Sequence, residues 1–321
     1  MIVAAAARRP LTTSGLLHLL AGVTLFGISW PLTKLALDEG APPMLFAFLR
    51  LALAALILGA SLGARGRLRL PGRGAIPTLV AIGVFQLFGF YALAHEALVS
   101  VPAGRTAILA NATTFWVAPL SLVILRERAS RRRWLAAALG LAGVVVLCEP
   151  WSAGLGAGVL RGEALLLGAA LSWSLAIVFL RHFPPRRVMD LLPWCFALAA
   201  LCLAPFTFGE RLADFRHLDL PGWVALATVG CAIGPFGTWC ITEASIRLPA
   251  LLSSVGFLGS PALGLTLSVL FLAEPVDRAL AAGTVLILGA VALAAWPESY
   301  GPESFGPECL GPEGVRKEIA P

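Results

Sequence analysis

A single shift of 147 residues lays the rare residues of this chain on one another. Glu96-Ala97 and Pro102-Ala103 recur as Glu243-Ala244 and Pro249-Ala250, and the same shift puts Glu127 on Glu274, Arg131 on Arg278 and Lys34 on Arg181. Ala and Leu are too abundant for their coincidences to count. The inference rests on Glu, Pro and Arg, which align without a gap, and it makes the chain a duplication.

Composition says what is duplicated. With 58% hydrophobic residues, only 13% charged and a mean hydropathy of +0.86, the chain lies far outside the range of soluble domains. Crossing about 30 Å of hydrocarbon takes roughly 20 apolar residues in a helix. The first half offers such runs at 15–37, 43–62, 75–98, 103–125 and 134–148, and the second at 163–180, 188–208, 222–245, 250–272 and 279–296. The expected fold is therefore an all-α integral membrane protein of ten transmembrane helices. Because each repeat has an odd number of spans, the second enters the membrane from the opposite side. The two five-helix repeats are then inverted about a pseudo-two-fold axis in the membrane plane. Residues 1–14 form a cytoplasmic N-terminal segment, 15–148 the first repeat, 149–162 a linker and 163–296 the second repeat; 297–321 form a disordered cytoplasmic tail in which Gly-Pro-Glu recurs.

Arginines fix the expected orientation. Arg8 and Arg9, then Arg65, Arg67, Arg69 and Arg73, then Arg126, Arg128, Arg131, Arg132 and Arg133, then Arg186 and Arg187 all fall on one side by parity. That side is cytoplasmic, and both termini with it. The net charge of +6 sits in these short connections. There it sets orientation and meets anionic head groups of the bilayer, so it does not signal nucleic acid. The first apolar run is full length and no small-residue cleavage pattern ends it, so it reads as a span and not a removed signal.

Cys148, Cys195, Cys202, Cys231 and Cys240 lie in or at the ends of spans without metal or redox spacing, and Cys309 lies in the tail. No metal site and no cofactor are expected. There is no His-Glu-x-x-His pair, Gly-x-Ser-x-Gly elbow or P-loop, so a carrier is favoured over a membrane-embedded enzyme such as a transferase.

The stretch Val101-Pro-Ala-Gly-Arg-Thr-Ala-Ile-Leu-Ala-Asn111, with Phe115-Trp116 and Leu125-Arg-Glu-Arg128, resembles the signature of EamA-type transporters of the drug/metabolite transporter superfamily. In the second half, Leu248-Pro-Ala-Leu-Leu-Ser-Ser-Val255, Gly259-Ser-Pro261 and Leu272-Ala-Glu-Pro275 resemble it again. The resemblance spans both repeats. It implies ten helices, a bacterial inner-membrane location, and export or exchange of amino acids or similar small metabolites. Two positions depart from the pattern: the proline expected near Thr114 stands at Pro119, and the tryptophan usual in the first helix is matched by Phe26, with Trp30 one turn later.

In inverted-repeat carriers the site lies near the midplane, and helix breaks point to it. Gly230, Gly234-Pro235 and Gly237 interrupt the eighth run, while Gly256, Gly259 and Pro261 interrupt the ninth. Gly234, Pro235, Gly259 and Pro261 are the expected hinges, since a proline in a span frees a carbonyl that must find a partner in protein or in a watery cavity. Packing of helices through small residues is the alternative. The expected substrate lining is Trp30, Gln86, Phe90, Asn111, Thr114, Trp173, Trp239, Ser253, Ser254 and Phe257. Aromatic walls suit an apolar body, and Asn, Gln and Ser orient amino and carboxylate groups. Asn111 bonding a neighbouring helix is equally open.

Repeat geometry also yields gates. Lys34 and Glu96 end the first and third runs at one face, and their mates Arg181 and Glu243 end the sixth and eighth at the other. One ion pair is expected at each mouth, alternately broken as the repeats rock; snorkelling of all four to the interface is the alternative. Arg50 lies deeper, where a charge costs about 2.5–3.5 kcal/mol at the span centre, and needs a carbonyl cluster or a substrate carboxylate; an arginine here also resembles a structural feature common in the family. No midplane acid or histidine relay is legible, so the expected mechanism is alternating access driven by the substrate gradient or by exchange, with proton antiport left open; a channel is the runner-up, but it needs a continuous polar stripe and these spans offer isolated polar residues. The expected partners are a small-molecule substrate and the lipid bilayer, with no nucleic acid and no obligate protein partner. Nucleotide-sugar, phosphate-ester or lipid-linked cargo is the rival within the class, although phosphates call for more inward-facing cations than Arg50 alone.

Overall fold

The computed structural model describes residues 13–124, 126, 131–148, 157–183, 188–210, 215, 218–248 and 256–295. Residues 1–12, 149–156 and 296–321 lie outside them, and with them most of the expected N-terminal segment, much of the linker and the tail.

Among the described residues the regular structure is helical throughout. The helices are α1 (Thr13–Asp38), α2 (Pro43–Ala64), α3 (Arg73–Leu98), α4 (Ala103–Leu109), α5 (Thr113–Ile124), α6 (Arg131–Cys148), α7 (Ala157–His182) and α8 (Val188–Leu203). A ninth, α9, runs without a gap through Leu220–Ala227, Thr228–Gly237 and Thr238–Arg247, and is followed by α10 (Gly259–Leu272) and α11 (Arg278–Ala295). Six segments are long and apolar enough to cross a membrane: Thr13–Asp38, Pro43–Ala64, Arg73–Leu98, Ala157–Leu180, Val188–Thr207 and Leu220–Ala244. The expectation of ten is thus met in six by length and composition. The fourth run is split, because Ala110–Ala112 form a turn between α4 and α5, and Trp134–Cys148, Gly259–Leu272 and Arg278–Ala294 are apolar but shorter.

The packing carries the imprint of the duplication. The principal helix pairs are α1 with α9 and α10, α2 with α8 and α9, α3 with α7 and α8, α4 with α10, α5 with α7, and α6 with α11. Exchanging α1 for α7, α2 for α8, α3 for α9, α4 and α5 for α10, and α6 for α11 returns the same set. Irregularities repeat as well. α3 is π-helical over Leu79–Gly89 and α9 over Thr228–Gly237, nearly one repeat apart. The turn at Ala110–Ala112 has its counterpart in the turn at Leu258. Among the described residues the non-glycine positions with positive φ are Arg126 at 54° and Ala273 at 52°, which are shift mates, each preceding a glutamate.

Local chemistry explains the contacts. α2 opens on Pro42-Pro43, which carry no N–H to be left orphaned in the first turn. The Glu210 carboxylate accepts from the next two amides, Met44 N at 3.2 Å and Leu45 N at 2.6 Å, which ties the segment that follows α8 to the start of α2. α6 and α11 approach where both lack a side chain: a Cβ on Gly143 would stand 3.1 Å from Gly283 O, and one on Gly283 would stand 3.0 Å from Gly143 O. α1 and α10 meet similarly at Gly264, where a Cβ would lie 3.2 Å from Gly27 O. That carbonyl is the one Pro31 leaves without its helical donor.

Candidate functional site

Two cavities lie at the centre, walled by helices of both halves. One, of about 240 Å³, runs from Arg50, Gln86 and Tyr91 toward Leu180, Val188 and Thr242. The other, of about 180 Å³, is lined by Ser29, Trp30, Phe90, Asn111, Thr113 and Ser260 among others. They share Phe26, Tyr91, Trp173 and Phe257 as walls. The irregular segments frame them: the π-helical stretch of α3 contributes Gln86, that of α9 contributes Gly234, and the turns contribute Asn111 and Leu258. A π stretch or a turn shifts the phase of a helix and leaves backbone groups unpaired, which is tolerated in a span only where protein or a polar cavity receives them.

The walls are aromatic and interlocked. Phe90 stands edge-on to Trp173 at 4.8 Å between ring centres, to Tyr91 at 5.2 Å and to Trp30 at 6.1 Å. Phe26 meets Phe257 edge-on at 5.7 Å. Such contacts hold the rings in place as rigid walls.

Arg50 sits in this frame, 3% exposed. Its guanidinium stacks over the Tyr91 ring at 4.3 Å and donates to Ser29 Oγ and His95 Nε2, both at 3.4 Å. His95 Nδ1 lies 2.8 Å from Tyr91 O, an acceptor only, so Nδ1 carries the proton and Nε2 offers its lone pair to Arg50.

Of the expected lining, Trp30, Gln86, Phe90, Asn111, Trp173 and Phe257 border the two cavities. Trp239 does not; it is 39% exposed and packs edge-on against His18 at 5.0 Å. Ser253 and Ser254 lie outside the described residues, as does the Thr114 side chain, and Thr113 borders the cavity beside it. Asn111 Nδ2 donates to Ala107 O at 2.7 Å in its own span, not to a neighbouring helix. Gly234 borders a cavity and Pro235 is buried within the π stretch, whereas Gly259 and Pro261 occupy the first turn of α10, beyond the turn at Leu258. A proline in a first turn removes no helical bond. Phe26, Ser29 and Tyr91 join the lining without having been singled out as substrate contacts.

The expected mouth pairs are otherwise engaged. Lys34 Nζ reaches Asp38 at 3.0 Å and donates to Leu98 O at 3.0 Å, and Glu96 is held by Arg161 at 2.9 Å. Glu243 pairs with Arg247 at 2.8 Å, and the Arg181 side chain lies outside the described residues. The end of the molecule that holds Lys34 and Glu96 is tightly tied. Arg105 bridges Glu163 at 3.0 Å and Asp277 at 3.5 Å, and the Glu274 carboxylate accepts from Ala103 N at 2.6 Å and Gly104 N at 2.8 Å. The left-handed turn at Ala273 swings Glu274 toward these amides.

A multi-pass helical membrane protein with a central aromatic cavity walled by two similar halves is the architecture of a small-molecule carrier. The family comparison agrees: residues 13–148 and 160–296 each match the EamA-like transporter family, and the chain belongs to it. It is thus a transporter of the drug/metabolite superfamily and not an enzyme. A probable amino-acid metabolite efflux pump of Salmonella typhimurium is 26% identical over 86% of this chain and 93% of its own length. A protein of the same description from Escherichia coli is 25% identical over 85% and 92%. Protein PecM of Dickeya dadantii is 28% identical over 69% and 74%. A solved crystal structure matches with a TM-score of 0.57 and 24% identity over 88% of this chain and 97% of that one, a likeness of fold.

Proposed function

We propose that this chain exports or exchanges amino acids or related metabolites across the bacterial inner membrane by alternating access. In this reading ten helices form two inverted five-helix repeats, 15–148 and 163–296, and the substrate binds at the midplane between them. The observation that carries it is the central cavity, walled by α1, α2 and α3 of one half and α7, α8 and α9 of the other. The likeness to the probable amino-acid metabolite efflux pumps of Salmonella and Escherichia supports the substrate class.

Placing the Arg65, Arg67, Arg69 and Arg73 end in the cytoplasm puts both termini there. The larger cavity then runs from the midplane toward the cytoplasm, and the end closed by Arg105, Glu163, Asp277 and Glu274 faces out. This is an inward-open arrangement. Lys34 and Glu96 serve the outer closure through Asp38, Leu98 O and Arg161. As the repeats rock, Glu243 exchanges Arg247 for Arg181 and shuts the inner mouth. Gly234 and Pro235 lie within the π stretch of α9, and Gly259 and Pro261 just beyond the turn at Leu258, the irregular segments on which the halves pivot.

The test is efflux of preloaded radiolabelled amino acids and their metabolites from proteoliposomes, with and without an imposed pH gradient. Protein-dependent efflux of a subset, indifferent to pH and reduced severalfold by Asn111→Ala, is the expected result. Silence across the panel from folded protein removes the amino-acid reading and favours phosphate-bearing or lipid-linked cargo.

A further inference from the structure

The cavity is electrically unbalanced. Arg50 is the one formally charged side chain among the described residues that line its two parts. By contrast, buried Arg105 meets Glu163, and Lys34 meets Asp38. Arg50 meets a hydroxyl, a ring face and an imidazole nitrogen. The imidazole adds no charge of its own, since Nδ1–H is committed to Tyr91 O and Nε2 accepts from Arg50. Of the five N–H donors a guanidinium carries, two are used by the protein, both over 3.4 Å. A fork of donors in an aromatic chamber, with no anion beside it among the described residues, suits a carboxylate.

From this we infer the charge rule of the site: it selects a small organic monoanion with an apolar or aromatic body, held through its carboxylate by Arg50, and it does not require an α-amino group. The inference rests on reading this cavity as the transport site. A single negative charge neutralises Arg50, while the rings of Trp30, Phe90, Trp173 and Phe257 cover the body. A zwitterion brings an ammonium for which the described lining offers only neutral acceptors, such as the Asn111 amide oxygen, and a cation meets like charge. A phosphate dianion asks for more positive charge than one guanidinium supplies. The preferred order is therefore deaminated carboxylate, then amino acid, with free amine excluded.

The experiment titrates the full chain in lipid nanodiscs with two ligand series, following tryptophan fluorescence. The first comprises 3-phenylpropionate, phenylalanine, phenethylamine and 3-phenylpropanol; the second comprises 4-methylpentanoate, leucine, isoamylamine and isoamyl alcohol. The expected result is saturable binding of the carboxylate of at least one series, at least tenfold tighter than its amino acid, with no saturable binding of the amines. Arg50→Gln weakens the carboxylate at least tenfold and leaves the alcohol unchanged. The wild-type series decides the matter by itself if that variant fails to fold. An amino acid or amine bound as tightly as its carboxylate, or no saturable carboxylate binding, overturns the charge rule. Binding is read without flux, so failures separate: amino-acid efflux without carboxylate preference leaves the transporter standing, and carboxylate binding without flux keeps the charge rule while removing the export reading.

Discussion

Arg105→Ala is expected to destabilise the protein by about 3–5 kcal/mol, because it takes the guanidinium from a glutamate sealed inside the fold. Glu163 is 2% exposed and Arg105 reaches it at 3.0 Å across the boundary between the halves. Its second contact, to Asp277 at 3.5 Å, is half in solvent and contributes little. Glu163→Gln therefore costs less than Arg105→Ala, since it leaves a neutral amide and not an unmatched carboxylate in the interior. Arg105→Met with Glu163→Leu recovers much of the loss, as burying two apolar groups avoids desolvating two charges. Unfolding in mild detergent measures all three, and equal stability of Arg105→Ala and wild type would show that the pair does not hold this end together.

The second large effect is expected at Gly104, where α4 lies against α10 with no space for a side chain. A Cβ there would stand 2.6 Å from Leu265 Cδ1 and 3.1 Å from the Glu274 oxygen that caps the helix. Gly104→Val drives the Leu265 side chain from its place between the helices, at about 1–3 kcal/mol for overpacking, and displaces a cap that contributes about 1 kcal/mol. Because this contact closes the proposed outer end, the loss is also a loss of seal. A cysteine placed at Thr106, which is buried, is expected to become reactive to a membrane-impermeant thiol reagent added outside in a cysteine-free Gly104→Val background. An unreactive thiol there means that α4 and α10 remain closed and the seal lies elsewhere.

The duplication was legible because its markers are rare residues, and the structure repeats it in features that have no sequence signature. Arg126 and Ala273 share a left-handed backbone that neither residue type favours. The π stretch of α3 contains no proline, whereas its partner in α9 contains Gly234-Pro235, so one was visible as a break and the other was not. The turn at Ala110–Ala112 is built from residues that normally favour or tolerate helix, while Pro119, the conspicuous breaker, sits inside α5. Lys34 and Glu96 shared an end, as their spacing required, but not a bond. Asp38 one turn along and the Leu98 carbonyl satisfy the ammonium locally, and Arg161 comes from beyond the first repeat, where no pattern within that repeat could place it. Arg50 announced itself as a charge in an apolar run. That its neighbours would be Ser29, Tyr91 and His95 depends on how α1, α2 and α3 cross, which one sequence does not record.

If substrate passes through the chamber between the halves, a plug placed in that chamber stops transport. Thr242 borders the chamber at the proposed inner mouth, and among the described residues its hydroxyl bonds its own helix, to Thr238 O at 2.8 Å, so a larger side chain can replace it without orphaning a partner there. Efflux from proteoliposomes carrying Thr242→Trp, compared with Thr242→Ser and wild type at matched unfolding temperature, is the measurement. The tryptophan variant is expected to fall to the protein-free background while the serine variant transports as wild type does; undiminished efflux through Thr242→Trp would place the pathway outside this cavity.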